Sequence, residues 1–350
     1  MASLPTVAIV FLVYNRRAKL RTSLSRMLEE SEYPIDRVDV IVVDNASSDR
    51  SSDMIRREFP GLQLIRREEN VGISGWNDGF AVARGDYVLA LDDDCYLRPD
   101  GLRRAVAGAE EHGADLVSFA VESSLDPSHR FSEAYPTGLL SFWGCAVLMR
   151  REVLAELTGY DPEIFVGANE LEFMVRFFDH GFRHLHLPEV VAVHMKEPLG
   201  PWKQHLHSYR VNARHFAYIA GKLLRTRDVG EVFFALLAHC IRDAVRHDQT
   251  ALQAMPDVAL GLLHGLRHRA PVGNPAVSRM YRQNFHSFAG PLQFARPPRA
   301  WPDAIRRGVA IVLHRDPPLD PHPGRREQFF ASRRRYYPDT AATLSLRTGG

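Results

Sequence analysis

The chain has 350 residues, 45% of them hydrophobic and 25% charged, which allows one large domain with an extension or two modest domains and argues against bulk disorder. Its net charge of +2 conceals an asymmetry: residues 1–200 carry 21 Lys+Arg against 32 Asp+Glu, a net −11, whereas residues 201–350 carry 23 against 10, a net +13. The three cysteines, Cys95, Cys145 and Cys240, are scattered and lack CxxC spacing, which argues against a disulfide framework or zinc site and fits a reducing cytoplasm.

In chain order, VAIVFLV (7–13) reads as a buried strand. Its apolar run is too short for a signal peptide and has no basic segment before it. Residues 16–30 carry apolar side chains at helical spacing through Leu20, Leu24, Met27 and Leu28. VDVIVVD (38–44) is a strand, Ser48 to Phe59 a helix, LQLIR (62–66) a strand, Gly75 to Ala83 a helix and DYVLALD (86–92) a strand. Continuous apolar strands alternating with helices predict a doubly wound, mostly parallel α/β sheet covered on both faces. ADLVSFAV (114–121), CAVLMR (145–150) and HLHLPEVVAVHM (184–195) supply further strands, with helices at 151–158 and about 169–180 and a polar loop over 122–142.

After Pro198 the composition shifts. Residues 203–225, 229–246 and 256–268 read as helices, and the tail from 290 is rich in Pro and Arg. Two domains are expected: 1–200, and a basic, largely helical 201–350. No window reaches the roughly 18 apolar residues of a spanning helix. The amphipathic segment 229–245 fits a core or a homodimer partner, or else peripheral contact at the inner face of a membrane. The basic region packs on the acidic one or faces anionic lipid, nucleic acid or an anionic substrate. Nucleic acid is disfavoured, because the tail lacks an ordered aromatic–basic pattern. Arg210, Asn212 and Arg214 are candidates for an anionic acceptor.

The polar residues of the first domain cluster where parallel sheets bind ligands, just beyond the carboxyl ends of strands. Tyr14, Asn15 and Arg16 follow the first strand, Asp44 and Asn45 end the second, and Asp92, Asp93 and Asp94 end DYVLALD. Three adjacent carboxylates repel each other unless a cation offsets them. Mg²⁺ or Mn²⁺ would take such oxygen ligands and bridge them to a phosphate. On extended backbone Asp92 and Asp94 share a face and Asp93 looks away; a solvated acidic turn is the alternative. The stretch NVGISGWNDG (70–79) lets backbone approach a ligand, but its glycines at 72, 75 and 79 match neither a dinucleotide fingerprint nor a P-loop. Glu170, at a loop–helix junction, is a candidate general base, or a dipole-stabilised acid of the first turn, as Glu172 would be. His194, ending VVAVH, is a candidate metal or phosphate ligand, or a hydrogen-bonded core histidine.

Together VAIVFLVYNR, VIVVDNASSD, ENVGISGWNDGFAVARGDYVLALDDDC, GCAVLMRREVL, GANELEFMVRFFDHGFR and LPEVVAVH resemble glycosyltransferase family 2, inverting enzymes of GT-A fold with a DXD motif. The resemblance covers about residues 5–195, with 70–94 its most specific part. It implies transfer of a sugar from a UDP- or dTDP-type donor to a hydroxyl on a glycan, a lipid-linked glycan or a small natural product. By this resemblance Val13 and Tyr14 border the base, Asp44 binds it, and Asn77 lies near the nucleotide. Asp92 and Asp94 are DXD ligands of Mg²⁺ or Mn²⁺, His194 assists the metal or diphosphate, and Glu170 is the base. Trp143 and Gly144 fall on the acceptor side, and Asn15, Arg16, Asn45, Gly72 and Asp93 flank the donor. The family more often has Glu-Asp where this chain reads Asn169-Glu170. A non-catalytic nucleotide-sugar-binding module is the alternative. Nucleotidyl transfer fits poorly, since YNRR is not a basic glycine-rich loop.

Overall fold

The structure, a computed structural model, describes residues 4–125, 130–131, 142–195, 202–246, 249–279 and 281. The chain divides into two compact units, Met1–Pro198 and Leu199–Gly350. The Pro/Arg-rich tail from 290 and most of the loop predicted over 122–142 lie outside the described residues.

In the first unit, β1 (Val7–Val13), α1 (Arg17–Glu29), β2 (Val38–Asp44), α2 (Ser51–Glu58), β3 (Gln63–Arg66), α3 (Trp76–Val82) and β4 (Tyr87–Asp92) alternate as the periodicity predicts. There follow β5 (Cys95–Leu97), α4 (Gly101–His112), β6 (Leu116–Ser123), β7 (Arg130–Phe131), β8 (Ala146–Arg150), α5 (Arg151–Leu157), α6 (Asn169–Asp179) and β9 (His184–His194). The sheet order is β3-β2-β1-β4-β8-β6-β9-β5, with β7 beside β6. β3, β2, β1, β4, β6 and β9 point one way, and β8, β7 and β5 run against them.

Period-2 alternation in β1 sorts its side chains to two faces. Val7, Ile9, Phe11 and Val13 join Leu20, Leu24 and Met27 of α1 and Leu102, Ala105, Val106 and Ala109 of α4 in one core. Val10 lies on the other face, against Gly79 of α3. There Tyr160 packs on Trp76, Phe80 and Phe173 of α6. Both faces are therefore covered, and each large apolar side chain fully buried contributes about 1.5–3 kcal/mol. This is the doubly wound core. β5 and α4 are additions to the sequence-derived elements, and so is β7, a two-residue strand paired with β6 inside the stretch predicted as loop.

The second unit holds α7 (Trp202–Leu223), α8 (Thr226–Arg246) and α9 (Met255–Arg267), with a 3-10 turn over Gln249–Ala254. α9 crosses α7 closely: a Cβ at Gly261 or Gly265 would strike the Arg214 or Tyr218 carbonyl. Among the described residues no helix is long and apolar enough to cross a membrane.

Candidate active site

Strand order reverses between β1 and β4, which are parallel neighbours with Leu12 opposite Asp92. Their carboxyl ends open the crevice in which doubly wound sheets bind ligands. Asp93 and Asp94 form a tight turn beyond β4, and Cys95 starts β5. β5 pairs with β9 so that Cys95 lies opposite His194, and the Met195 amide donates to the Asp94 carbonyl at 2.8 Å. This pairing carries His194 across the sheet to the aspartates.

Ligand atoms of Asp92, Asp94 and His194 all lie within 4.8 Å of one another. Two carboxylates at that separation repel by about 3 kcal/mol at an effective dielectric near ~20. Asp94 is 1% exposed. Its Oδ2 receives Arg16 at 3.2 Å and Lys19 Nζ at 3.4 Å. Its Oδ1 lies 3.1 Å from His194 Nε2, an ion-pair distance, but accepts no aligned hydrogen bond among the described residues. With a second carboxylate and an imidazole beside it, the donor set fits a divalent cation.

The electrostatics are strained accordingly. Loss of water pushes the Asp92 carboxyl well above the usual range, and Cys145 and the two following aspartates push the same way. Burial also raises Asp93, to about 6, against the pull of Arg16. Asp94 goes the other way: burial would raise it, yet His194, Arg16 and Lys19 hold it at about 2. Burial disfavours charge on His194, but Asp94 and Cys145 hold its ring protonated up to about 10.

The β1–α1 loop is tied to these groups. Asp93 accepts the Tyr14 amide at 3.3 Å and Arg16 at 3.1 Å. Asn15, with φ 54°, donates its amide to Ser47 and accepts the Ser48 amide at 2.7 Å. Tyr14 itself is exposed. Lys19 also reaches the Met195 carbonyl at 2.5 Å. It is one helical turn beyond Arg16, so the two cations share a face of α1. Sequence reasoning read that helix only for its apolar stripe and missed Lys19.

Glu170 enters from α6. Gly167 and Ala168 both have left-handed backbone, φ 83° and 62°, a strained pair for the non-glycine residue that aims the first turn of α6. The Glu170 carboxylate lies against Gly144, where any Cβ would collide with it. The adjacent Cys145 carbonyl accepts the Asp92 amide at 3.0 Å, so Gly144 and Cys145 bridge Glu170 to the aspartates. Tyr160 senses both groups: burial first, then Glu170 and Asp92, push its hydroxyl pKa well up. Trp143 is half-buried beside Gly144. Cys145, not singled out from sequence, hydrogen-bonds through its thiol to Cys95 and His194. By contrast Glu172 is buried and paired with Arg176, a structural acid.

Other candidates are occupied with the fold. Val13 is in the core, and its carbonyl accepts the Asn45 amide. Asp44 is fully buried and accepts the Ser47 amide at 2.8 Å and the Ser52 hydroxyl. The Asn45 side chain clamps Asn70, Val71 and Gly72. Gly72, at φ 65°, approaches the Phe165 backbone, and Ile73 bonds the Phe165 carbonyl at 2.8 Å. Asn77 holds both backbone groups of Tyr160, each at 2.8 Å. The glycine-rich stretch thus fastens the 159–170 loop that presents Glu170.

Residues 8–158 match the model of Glycosyl transferase family 2. Over that stretch, about two-fifths of the chain, the sequence is similar to glycosyltransferase family 2. Glycosyltransferase AglE of Haloferax volcanii is 24% identical over 213 residues, covering 57% of this chain and 70% of that one. The mannosyltransferase PcManGT from Pyrobaculum calidifontis, in complex with GDP-Man and Mn²⁺, has a TM-score of 0.50 at 20% identity, covering 100% and 89% of the two chains. GalNAc-T7 with UDP, GalNAc and Mn²⁺ has a TM-score of 0.54 at 12% identity, covering 74% and 55%. These structural likenesses bear on the fold, which is of GT-A type. This glycosyltransferase keeps its carboxylates and His194 at the strand ends of that fold.

Proposed function

We propose that this glycosyltransferase is metal-dependent and inverting, and moves the sugar of a UDP- or dTDP-type donor to a hydroxyl of a glycan, a lipid-linked glycan or a small natural product. The catalytic domain is assigned to residues 1–200 and the basic helical region to 201–350. The observation that carries the reading is the grouping of buried Asp94 with Asp92 and His194, whose ligand atoms all lie within 4.8 Å of one another.

Asp92, Asp94 and His194 would hold Mg²⁺ or Mn²⁺. Such an ion, when bound, offsets the negative charge that builds on a departing nucleoside diphosphate. Mn²⁺ in complexes of two proteins of this fold supports a divalent ion. Arg16 and Lys19 add positive charge at the same strand ends. Glu170 accepts the proton of the acceptor hydroxyl as that oxygen attacks the anomeric carbon. Tyr14, Asn15 and Arg16 hold the donor side, and Trp143 and Gly144 the acceptor side beside Glu170. Holding donor and acceptor in line supplies much of the acceleration. A base opposite the leaving group gives inversion.

The test is a panel of UDP-, dTDP- and GDP-sugars with Mg²⁺ or Mn²⁺, with products read by NMR. Metal-dependent donor consumption and an inverted anomeric centre are expected. A retained configuration, or undiminished turnover in chelator, contradicts the proposal.

A further inference from the structure

The first turn of α1 holds Arg17 and Lys19 and no acid. The positive end of a helix disfavours cations, so helix stability does not account for Lys19. Its ammonium reaches away from α1 instead. Nζ lies 2.5 Å from the Met195 carbonyl and 3.4 Å from Asp94 Oδ2. One side chain thereby joins α1 to the turn after β4 and to the residue that follows His194. Arg16 meets the same Oδ2 at 3.2 Å and Asp93 at 3.1 Å.

An ammonium has three N–H donors. Among the described residues Lys19 gives two of them to Asp94 and Met195, and its side chain is 32% exposed. The charges of the cluster point the same way. A divalent ion beside Asp92 and Asp94 would join Arg16 and Lys19, four positive charges against three aspartates even when all three are ionised. Like charges a few ångströms apart repel, so Lys19 opposes an ion that arrives alone. A diphosphate arriving with the ion supplies the missing negative charge, and its oxygens accept charge-assisted hydrogen bonds from an ammonium. Arg16 is already shared between two aspartates, which leaves Lys19 the better placed of the two cations.

We propose, building on the metal and donor roles assigned to this site, that Lys19 is a diphosphate-binding residue that couples donor to metal. It weakens the binding of a divalent ion alone and strengthens the binding of the ion together with a nucleoside diphosphate. The coupling is reciprocal: the factor by which the nucleotide tightens the ion is the factor by which the ion tightens the nucleotide. A lysine that only fastened the end of β9 would act with the opposite sign. Its loss would free His194 from its place beside Asp94 and weaken the ion. The effect on metal binding without nucleotide therefore separates the two roles.

Full-length wild type, Lys19→Met and Lys19→Arg test this. Mn²⁺ is titrated with and without UDP, the free ion being read by electron paramagnetic resonance, and UDP and uridine are titrated by calorimetry in Mn²⁺. Lys19→Met should bind Mn²⁺ alone at least about threefold more tightly than wild type. It should bind UDP with Mn²⁺ at least about tenfold more weakly, while its affinity for uridine, which lacks the diphosphate, stays within about twofold. Lys19→Arg keeps the charge and should recover most of the UDP affinity. Weaker Mn²⁺ binding by Lys19→Met without nucleotide, unchanged UDP affinity, or equal loss of UDP and uridine overturns the proposal. Wild type in which Mn²⁺ and UDP do not bind together fails differently: it overturns the assignment of the site, and this coupling with it.

Discussion

Both units bury aspartates with matched partners, Asp44 among them, but the strand end that carries Asp92, Asp93 and Asp94 departs from that pattern. In the helical unit Asp228 and Asp243 have partners matched to them: Ser278 for the one, Tyr209 and Arg242 for the other. Such acids are satisfied and stabilise the fold. In the α/β unit three aspartates crowd one strand end, two have carboxyls pushed upward, and only Asp94 is held charged, by His194, Arg16 and Lys19. Crowding that the fold itself does not resolve marks a place where something else completes the charge balance. Burial alone says little about a carboxylate's role; the partner list separates a structural acid from a ligand.

The largest effect that sharpens this contrast is Asp94→Ala, which should reduce metal-dependent turnover to background. Mn²⁺ titration should show the loss of binding behind it, and wild-type metal affinity would sink the ligand role. Glu170→Gln comes next. It should lower kcat by about 10²–10⁴ while leaving the donor Kd nearly unchanged; a near-normal kcat removes Glu170 as the base.

Stability then separates the two kinds of acid. Asp243→Asn should cost about 1–3 kcal/mol in denaturant unfolding, because it disturbs satisfied bonds to Tyr209 and Arg242. Asp92→Asn should raise the thermal midpoint of the metal-free protein by a few degrees while weakening metal binding. The folded state raises the Asp92 pKa, so near neutral pH it disfavours the charge that the substitution removes. Equal and same-signed changes at the two positions would break the comparison.

The smallest effect is in pH. His194 is held protonated up to about 10, so a metal must displace its proton. Apparent metal affinity should therefore rise by about tenfold per pH unit through the neutral range and level off near that pKa. In the metal-free fold the sign is reversed: the pairing of His194 with Asp94 is fully present below the ordinary histidine pKa and lost as pH rises through about 10. Calorimetry in buffers of different ionisation enthalpy should detect the released proton, and a flat pH profile would exclude His194 as a ligand.

Much of the parallel half was legible, because β1, β2 and β4 are continuous apolar runs and their alternation with α1, α2 and α3 follows from periodicity. β5 was not, being three residues beyond a turn, and α4 was not, because its buried face is largely alanine and glycine. Local pattern also carries no direction, so the reversal of β8 was invisible. The site followed the same division. Asp92, Asp94 and Glu170 stood out by position, at a strand end and a helix start. The approach of His194 depends on the pairing of β5 with β9, a contact between residues far apart in sequence. The tasks of Asn77 and Asn45 were equally hidden, since an asparagine beside glycines reads the same whether it meets a ligand or a loop.

The central claim is that the aspartate cluster completes itself with a divalent ion to grip a nucleoside diphosphate. Calorimetric titration of UDP and GDP into the wild-type protein and Asp94→Ala, with Mn²⁺ or with chelator, tests it most directly. The account predicts nucleotide binding that Mn²⁺ tightens at least about tenfold in the wild type and leaves unchanged in Asp94→Ala. Equal affinity in Mn²⁺ and in chelator, or the same Mn²⁺ effect in both proteins, would contradict it.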